Sequence, residues 1–293
     1  MLKRDLLYGM GGWSQLFFFL FLFSSSYILA FLLIFSFVDI ELMQSSSTEM
    51  RMAMVIQSIC LFLVPSLAFV ALCERSSQSY LIPNKEKNIY FLLLAVLLII
   101  VIQPLVGSIG YYNQQMTLPE SMSSIERWMK QSESSAEESL KLLLGDKTVL
   151  SLLLNVLVLG VVAGITEEIF FRGCLQQIIG KIVSNKHFMV WITAFIFSTI
   201  HFQFYGFFPR LLLGALLGYL FVWSGNILIP IVVHVLHNAM TVIFTYLYID
   251  TATYETINNL NFENNSLVIL VSLSLTILIL VLLHKKRCTK ITL

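Results

Sequence analysis

Residues 149–174 read VLSLLLNVLVLGVVAGITEEIFFRGC. From Val149 to Ile165 no side chain carries a charge, and then Glu167, Glu168 and Arg172 follow in quick succession. A helix crosses a bilayer core of about 30 Å with roughly 20 apolar residues, so this stretch reads as a transmembrane helix ending in two carboxylates and a guanidinium. A charge inside such a helix costs at least roughly 2.5–3.5 kcal/mol near the bilayer centre. Ionisable residues at this place are therefore functional candidates by default.

The rest of the chain agrees with a membrane solvent. Of its 293 residues 57% are hydrophobic and 12% are charged, and mean hydropathy is +0.83, which leaves too little polar surface for a soluble globule. The reading is an all-α, polytopic membrane protein with about eight transmembrane helices. Spans are expected at Leu16 to Val38, Met52 to Cys73, Ile89 to Tyr112, Val149 to Phe171, Phe188 to Phe202, Pro209 to Trp223, Ile227 to Ile249 and Leu267 to Leu283. The fifth and sixth are short. The first resembles a secretory signal behind Lys3 and Arg4, but it is about twice too long and lacks a small-residue cleavage site before Asp39 and Glu41. An even number of spans puts both termini on one side. Lys285, Lys286, Arg287 and Lys290 at one end, with Lys3 and Arg4 at the other, make that side cytoplasmic, as do Lys85, Lys87, Lys181 and Lys186 in the loops.

Three regions follow. Residues 1–148 hold three spans and a polar insert, 117–147; residues 149–249 hold the charged motifs; residues 250–293 hold an external loop, the last span and a basic tail. Behind Pro119 the insert spaces Ile125, Trp128, Met129, Ala136, Leu140 and Leu143 mostly three, four or seven apart, the pattern of an amphipathic helix at the membrane interface. It is either a packing element with a tryptophan anchor or a lid over a substrate site. The net charge of +1 gives no field for nucleic acid. Cys60, Cys73, Cys174 and Cys288 form no C-x-x-C pair, so thiols are expected, without a disulfide framework or a thiolate zinc site.

On a helix Glu168 and Arg172 stand at i and i+4 and are expected to form a bidentate bridge, while Glu167 points about 100° away and is left for proton chemistry. A plain interhelical ion pair is the alternative, but it needs one carboxylate per arginine. His201 closes the short run Trp191 to Ile200, with Phe197 one turn before it. His234 and Asn238, again i and i+4, share a helix face, and His237 is assigned a secondary role. Together these groups supply a carboxylate to deprotonate water and donors for a developing oxyanion, the needs of peptide hydrolysis. No G-x-S-x-G or H-E-x-x-H pattern occurs. Glu167, His201 and His234 make a two-His-one-carboxylate set that leaves zinc open.

In order and spacing these residues resemble the CPBP group of bacterial membrane proteins, which is similar to the type II CAAX prenyl proteases. Its E-E-x-x-x-R pattern matches Glu167, Glu168 and Arg172; F-x-x-x-H matches Phe197 and His201; H-x-x-x-N matches His234 and Asn238. The resemblance implies an eight-helix intramembrane endopeptidase of a bacterial inner membrane, acting on a membrane-associated peptide or protein within the bilayer. It implies that Glu167 activates water, Glu168 and Arg172 support the site, His201 positions the water, and His234 and Asn238 bind the oxyanion. No cofactor is the favoured reading, with zinc as the alternative. A non-catalytic membrane scaffold and a proton-coupled transporter using Glu167 and His201 are the competing functions.

Overall fold

The computed structural model describes residues 7, 9–73, 80, 89–249, 251 and 259–287. Lys3, Arg4, Ser76, Ser79, Lys85, Lys87, Cys288, Lys290 and most of the loop before Asn259 lie outside the described residues. In chain order the helices are α1 (Gly12–Phe37), α2 (Ser47–Cys73), α3 (Ile89–Val101), α4 (Gln103–Gln114), α5 (Ser123–Gly145), α6 (Val149–Ile182), α7 (Lys186–Thr199), α8 (Phe207–Ser224), α9 (Leu228–Tyr248) and α10 (Phe262–Lys285). No strand occurs among the described residues.

Local chemistry sets the ends. Ser46, Thr148, Asn185 and Asn261 each accept a hydrogen bond from the first turn of the helix that follows, which satisfies an amide that the helix cannot. Helix α8 ends at Gly225, whose φ of +63° favours a residue without Cβ. Between α3 and α4, Pro104 removes a helical N–H and the axis bends by 41°. The Gln103 side chain then donates to the Ile99 carbonyl at 2.6 Å.

Helices α1, α2, α6, α8 with the short 3-10 turn before it, α9 and α10 are long and apolar enough to cross a membrane, and α3 with α4 forms one bent crossing. The chain is an integral membrane protein. The eight expected spans thus resolve into six long crossings, a broken one and α7, whose 14 residues reach only about 21 Å at roughly 1.5 Å per residue. The sixth span is longer than its hydrophobic run suggested, reaching from Phe204 to Ser224. Large apolar side chains such as Phe17, Phe31 and Leu267 face outward, while arginine, glutamate and histidine lie inside. Burial of polar groups with partners, and exposure of apolar ones, is what hydrocarbon demands.

Two apolar clusters make the interior. One joins α1, α2, α6 and α7 through Phe19, Phe69, Phe170, Phe171 and Phe197, with ring centroids 4.8 Å apart for Phe19–Phe170 and 5.0 Å for Phe171–Phe197. The other joins α3, α8, α9 and α10 through Leu98, Leu217, Val233 and Ile279. The charged motifs lie on the seam between them. There α6 meets α9 so closely that a Cβ on Gly164 would stand 2.8 Å from Val235 Cγ2 and 3.1 Å from its backbone nitrogen, a small-residue contact of the kind that lets membrane helices approach. Two π-helical segments, Val156–Val162 and Ile169–Leu175, bracket the α-helical turn that carries both glutamates. Such widened turns recur at functional sites because they re-aim side chains without breaking the helix.

Candidate active site

Arg172 and Glu168 are both fully buried and meet at 2.6 Å. The bridge is single, not bidentate as the sequence suggests: Nη1 donates to Glu168 Oε1, and Nη2 donates instead to the Gly214 carbonyl of α8 at 2.9 Å. The guanidinium therefore ties α6 to α8 as well as holding the carboxylate. Its plane faces the Phe197 ring at 4.9 Å, a cation–π contact inside the apolar interior.

The same Glu168 oxygen lies 2.7 Å from His234 Nδ1. An ionised carboxylate only accepts, so His234 presents Nδ1–H to it, and its Nε2 points the other way. That nitrogen lies 3.8 Å from Glu167 Oε2. The two adjacent glutamates thus grip one imidazole from its two sides, through unequal contacts. Glu168 has no exposure, whereas the Glu167 side chain keeps 13%. The roughly 100° between neighbouring helix positions puts one carboxylate in the bolt and leaves the other open.

His201 stands just past the end of α7, where its Nδ1 donates to the Phe197 carbonyl at 2.7 Å. A carbonyl oxygen cannot donate, so the proton is on Nδ1 and Nε2 is the basic nitrogen. Phe197 organises this side of the site, lying edge-on to His201 at 5.0 Å and to His234 at 5.9 Å. Glu167 and Arg210 are charged groups that interact with His201. Asn238 is half-buried and gives one amide hydrogen to the Leu159 carbonyl at 3.1 Å, which fixes its head against the π-helical segment of α6. Its second hydrogen remains for a ligand. His237 turns away and pairs with Gln103 at the α3/α4 bend, 3.2 Å off; it supports the fold around the site.

Glu167, Glu168, Arg172, His201 and His234 are brought together around Phe197, with Asn238 one turn beyond His234 on α9. Among the described residues no group of three His, Cys, Asp or Glu side chains is placed to hold a metal ion. Within the trio Glu167, His201 and His234, the His234 Nδ1 is bound to Glu168 and its Nε2 stands 3.8 Å from Glu167 Oε2, so Nε2 is the nitrogen this ring would offer a metal.

Several contributors escape the sequence motifs. Ser58 of α2 hydrogen-bonds Thr166, next to Glu167, at 2.7 Å. Arg210 of α8 donates to the Gln203 carbonyl at 2.8 Å and to its side-chain oxygen at 2.6 Å. Asn113 of α4 donates to the Phe204 carbonyl at 3.0 Å and accepts from the Phe208 amide at 2.9 Å. Together they clamp the loop after His201, where Phe202 is held at φ +54°, a left-handed backbone that a bulky residue seldom adopts. Trp128 of α5 covers that loop, its ring 6.1 Å from Phe202 and 5.3 Å from Phe204. Arg210 carries the same signal as Glu167, an ionisable group at an apolar run; the clamp itself has no sequence signature.

Residues 149–240 match the family model described as type II CAAX prenyl endopeptidase Rce1-like. The match contains all seven motif residues from Glu167 to Asn238 and stops short of α5. An uncharacterized protein of Bacillus subtilis (strain 168), YpbD, is 28% identical over 90 residues, which cover 29% of this chain and 43% of that protein. The chain thus spans less than half the length of the curated relative it matches. No solved structure matches the chain.

Proposed function

We propose that the chain whose residues 149–240 carry this family match is an intramembrane endopeptidase of CAAX type, in which Glu167 activates the hydrolytic water. The observation that carries the proposal is the inequality of the two glutamates: Glu168 is sealed and bonded, while Glu167 keeps access and lies 3.8 Å from His234 Nε2. A carboxylate with access to water and a fixed neighbour is what a general base requires.

In the proposed reaction Glu167 takes a proton from water whose oxygen adds to the scissile carbonyl carbon. His201 accepts a hydrogen bond from that water through Nε2, its Nδ1–H being committed to Phe197. The carbonyl oxygen becomes an oxyanion held by the remaining Asn238 amide hydrogen and by His234 Nε2. His234 donates there only with a proton on Nε2 as well as on Nδ1, where Glu168 accepts. Collapse breaks the C–N bond, the proton on Glu167 passes to the leaving amine, and a carboxylic acid product remains. Arg172 keeps Glu168 in place, so its action passes through His234. Every step uses this chain's own side chains, and zinc is the alternative that the test separates.

The test is cleavage of a membrane-peptide library by the detergent-purified full chain. Glu167→Gln is expected to lower kcat by about 10²–10⁴-fold, the usual contribution of a general base, while a chelator leaves wild-type cleavage unchanged. Cleavage that survives the substitution removes Glu167 from the role; cleavage lost to chelator and restored by zinc replaces the metal-independent scheme. The orientation belongs to the same proposal: with α7 and the loop after it counted as the eighth crossing, both termini are cytoplasmic, so a reporter fused after Ser135 is external and one after Arg287 is cytoplasmic. The reverse pattern overturns it.

A further inference from the structure

A cavity of about 480 Å³ lies between α5 and the loop that follows α7. His201 lines it on the loop side with Phe202 and Gln203; Trp128, Gln131, Ser132 and Ser135 line it from α5. Its size is that of a ligand pocket, which runs to roughly 300–1,000 Å³. We propose that this cavity is the substrate subsite next to the scissile bond, and that it takes an extended, uncharged peptide segment. The proposal rests on the reading in which Glu167 and His201 act on a peptide bond.

Three observations support it. The first is position: one wall of the cavity is His201, which in the proposed reaction accepts from the attacking water, so a chain lying in it is adjacent to a group that would act on it. The second is chemistry. An extended peptide needs alternating donors and acceptors for its backbone, and Gln131, Ser132, Ser135 and Gln203 carry both kinds. No Lys, Arg, Asp or Glu lines the space, so a charged side chain would leave water without a counter-charge. Trp128 and Phe202 supply the apolar surface. A lipid tail has no use for amide and hydroxyl walls.

The third is rigidity. Arg210 and Asn113 hold the loop wall from the inside, at 2.6–2.8 Å and 2.9–3.0 Å, and the left-handed Phe202 turns its ring out toward Trp128. A loop over-determined in this way presents His201 and the cavity wall in one geometry, which is how strain persists at working sites. The opposite wall, residues 128–136, lies outside the segment that matches the family. The two walls therefore divide the labour, with the matched part doing the chemistry and this chain's own amphipathic helix choosing the peptide.

The experiment has a kinetic arm and a binding arm. In the first, Ser135→Trp fills the cavity and Ser134→Trp, on an exposed position of α5 that does not line it, controls for the bulk of tryptophan on that helix. With the best peptide from the membrane-anchored library, Ser135→Trp is expected to raise KM about tenfold, a change of roughly 1.4 kcal/mol, with kcat nearly unchanged, and Ser134→Trp to match wild type. In the second, Ser132→Cys in a Glu167→Gln, Cys288→Ser background carries an environment-sensitive dye, and the same peptide is titrated. A saturable dye response that Ser135→Trp weakens is expected. Wild-type KM in Ser135→Trp together with a silent dye overturns the subsite while leaving the peptidase standing. A saturable dye response without any cleavage by wild type keeps the subsite and overturns the peptidase. Neither cleavage nor response overturns both.

Discussion

Arg172 and Arg51 are both buried among the helices, and they are stabilised by different partners. Arg172, with no exposure, meets the carboxylate of Glu168 and the Gly214 carbonyl. Arg51, 9% exposed at the start of α2, meets neutral groups only among the described residues: Nε donates to Asn155 Oδ1 at 2.8 Å and Nη2 to Ser151 Oγ at 2.6 Å. Asn155 passes the tie on to the Leu143 carbonyl at the end of α5. The first knot fixes a charged site, because its carboxylate also holds His234. The second bolts α2, α5 and α6 at the start of α2, and there a guanidinium with dipolar partners suffices. A buried cation in a membrane protein is thus not by itself a sign of catalysis; the company of a second, accessible ionisable group distinguishes the two.

The sharpest way to break this contrast is Arg172→Met, which leaves Glu168 buried with one partner. Losing one member of a buried pair costs about 3–5 kcal/mol, so a large fall in Tm in detergent and a loss of cleavage are expected together. The double variant Glu168→Leu, Arg172→Met removes both charges and is expected to recover much of the Tm but none of the cleavage, because His234 then has nothing to hold Nδ1. Recovery of cleavage in the double variant would reduce the pair to a bolt like the other one. Arg51→Met, in turn, strands two neutral acceptors and is expected to cost about 1–3 kcal/mol, with kcat/KM of the folded protein unchanged. A fall in kcat/KM would tie the outer knot to the chemistry.

Much of the helical frame is legible in the sequence, since apolar runs of about 20 residues report themselves. Where the sequence reading differs, the cause is local. Pro104 splits the third crossing, α7 has only 14 helical residues and packs along α8, and the Phe204–Gly206 turn extends the sixth. The polar set Glu167, Glu168, Arg172, His201, His234 and Asn238 is legible because ionisable groups in hydrocarbon are costly and few. The second guanidinium nitrogen is not legible: whether it meets the carboxylate or the Gly214 carbonyl depends on how near α8 comes, a tertiary distance with no trace in the i, i+4 spacing. The same holds for Asn113 and Arg210, which belong to different helices and meet only at the loop after His201. The amphipathic period of α5 gives its helix, Ser123–Gly145, but not that Trp128 lies against the His201 loop instead of serving only as an interfacial anchor.

Arg210 extends the comparison to a third, weaker case. It is engaged with Gln203, while Glu133 of α5 feels its charge without an ion pair between them among the described residues. Burial beneath α5 is the largest influence on the Glu133 carboxyl and pushes its pKa up; the Arg210 charge pulls it down, and Glu137 adds to the rise. The net direction is upward, so burial outweighs the cation. A carboxyl raised in the folded state stabilises the fold below its unfolded pKa, and that contribution is lost as pH rises through the folded value. Glu133→Gln is then expected to unfold at a slightly higher temperature than wild type near pH 7, where wild type keeps a poorly solvated charge, and at the same temperature below about pH 4, where both side chains are neutral. The effect is the smallest of the series, because the group is half in water and screened. A lower Tm for Glu133→Gln near pH 7 would mean that the Arg210 attraction wins, and that α5 is held over the His201 loop by charge as well as by Trp128.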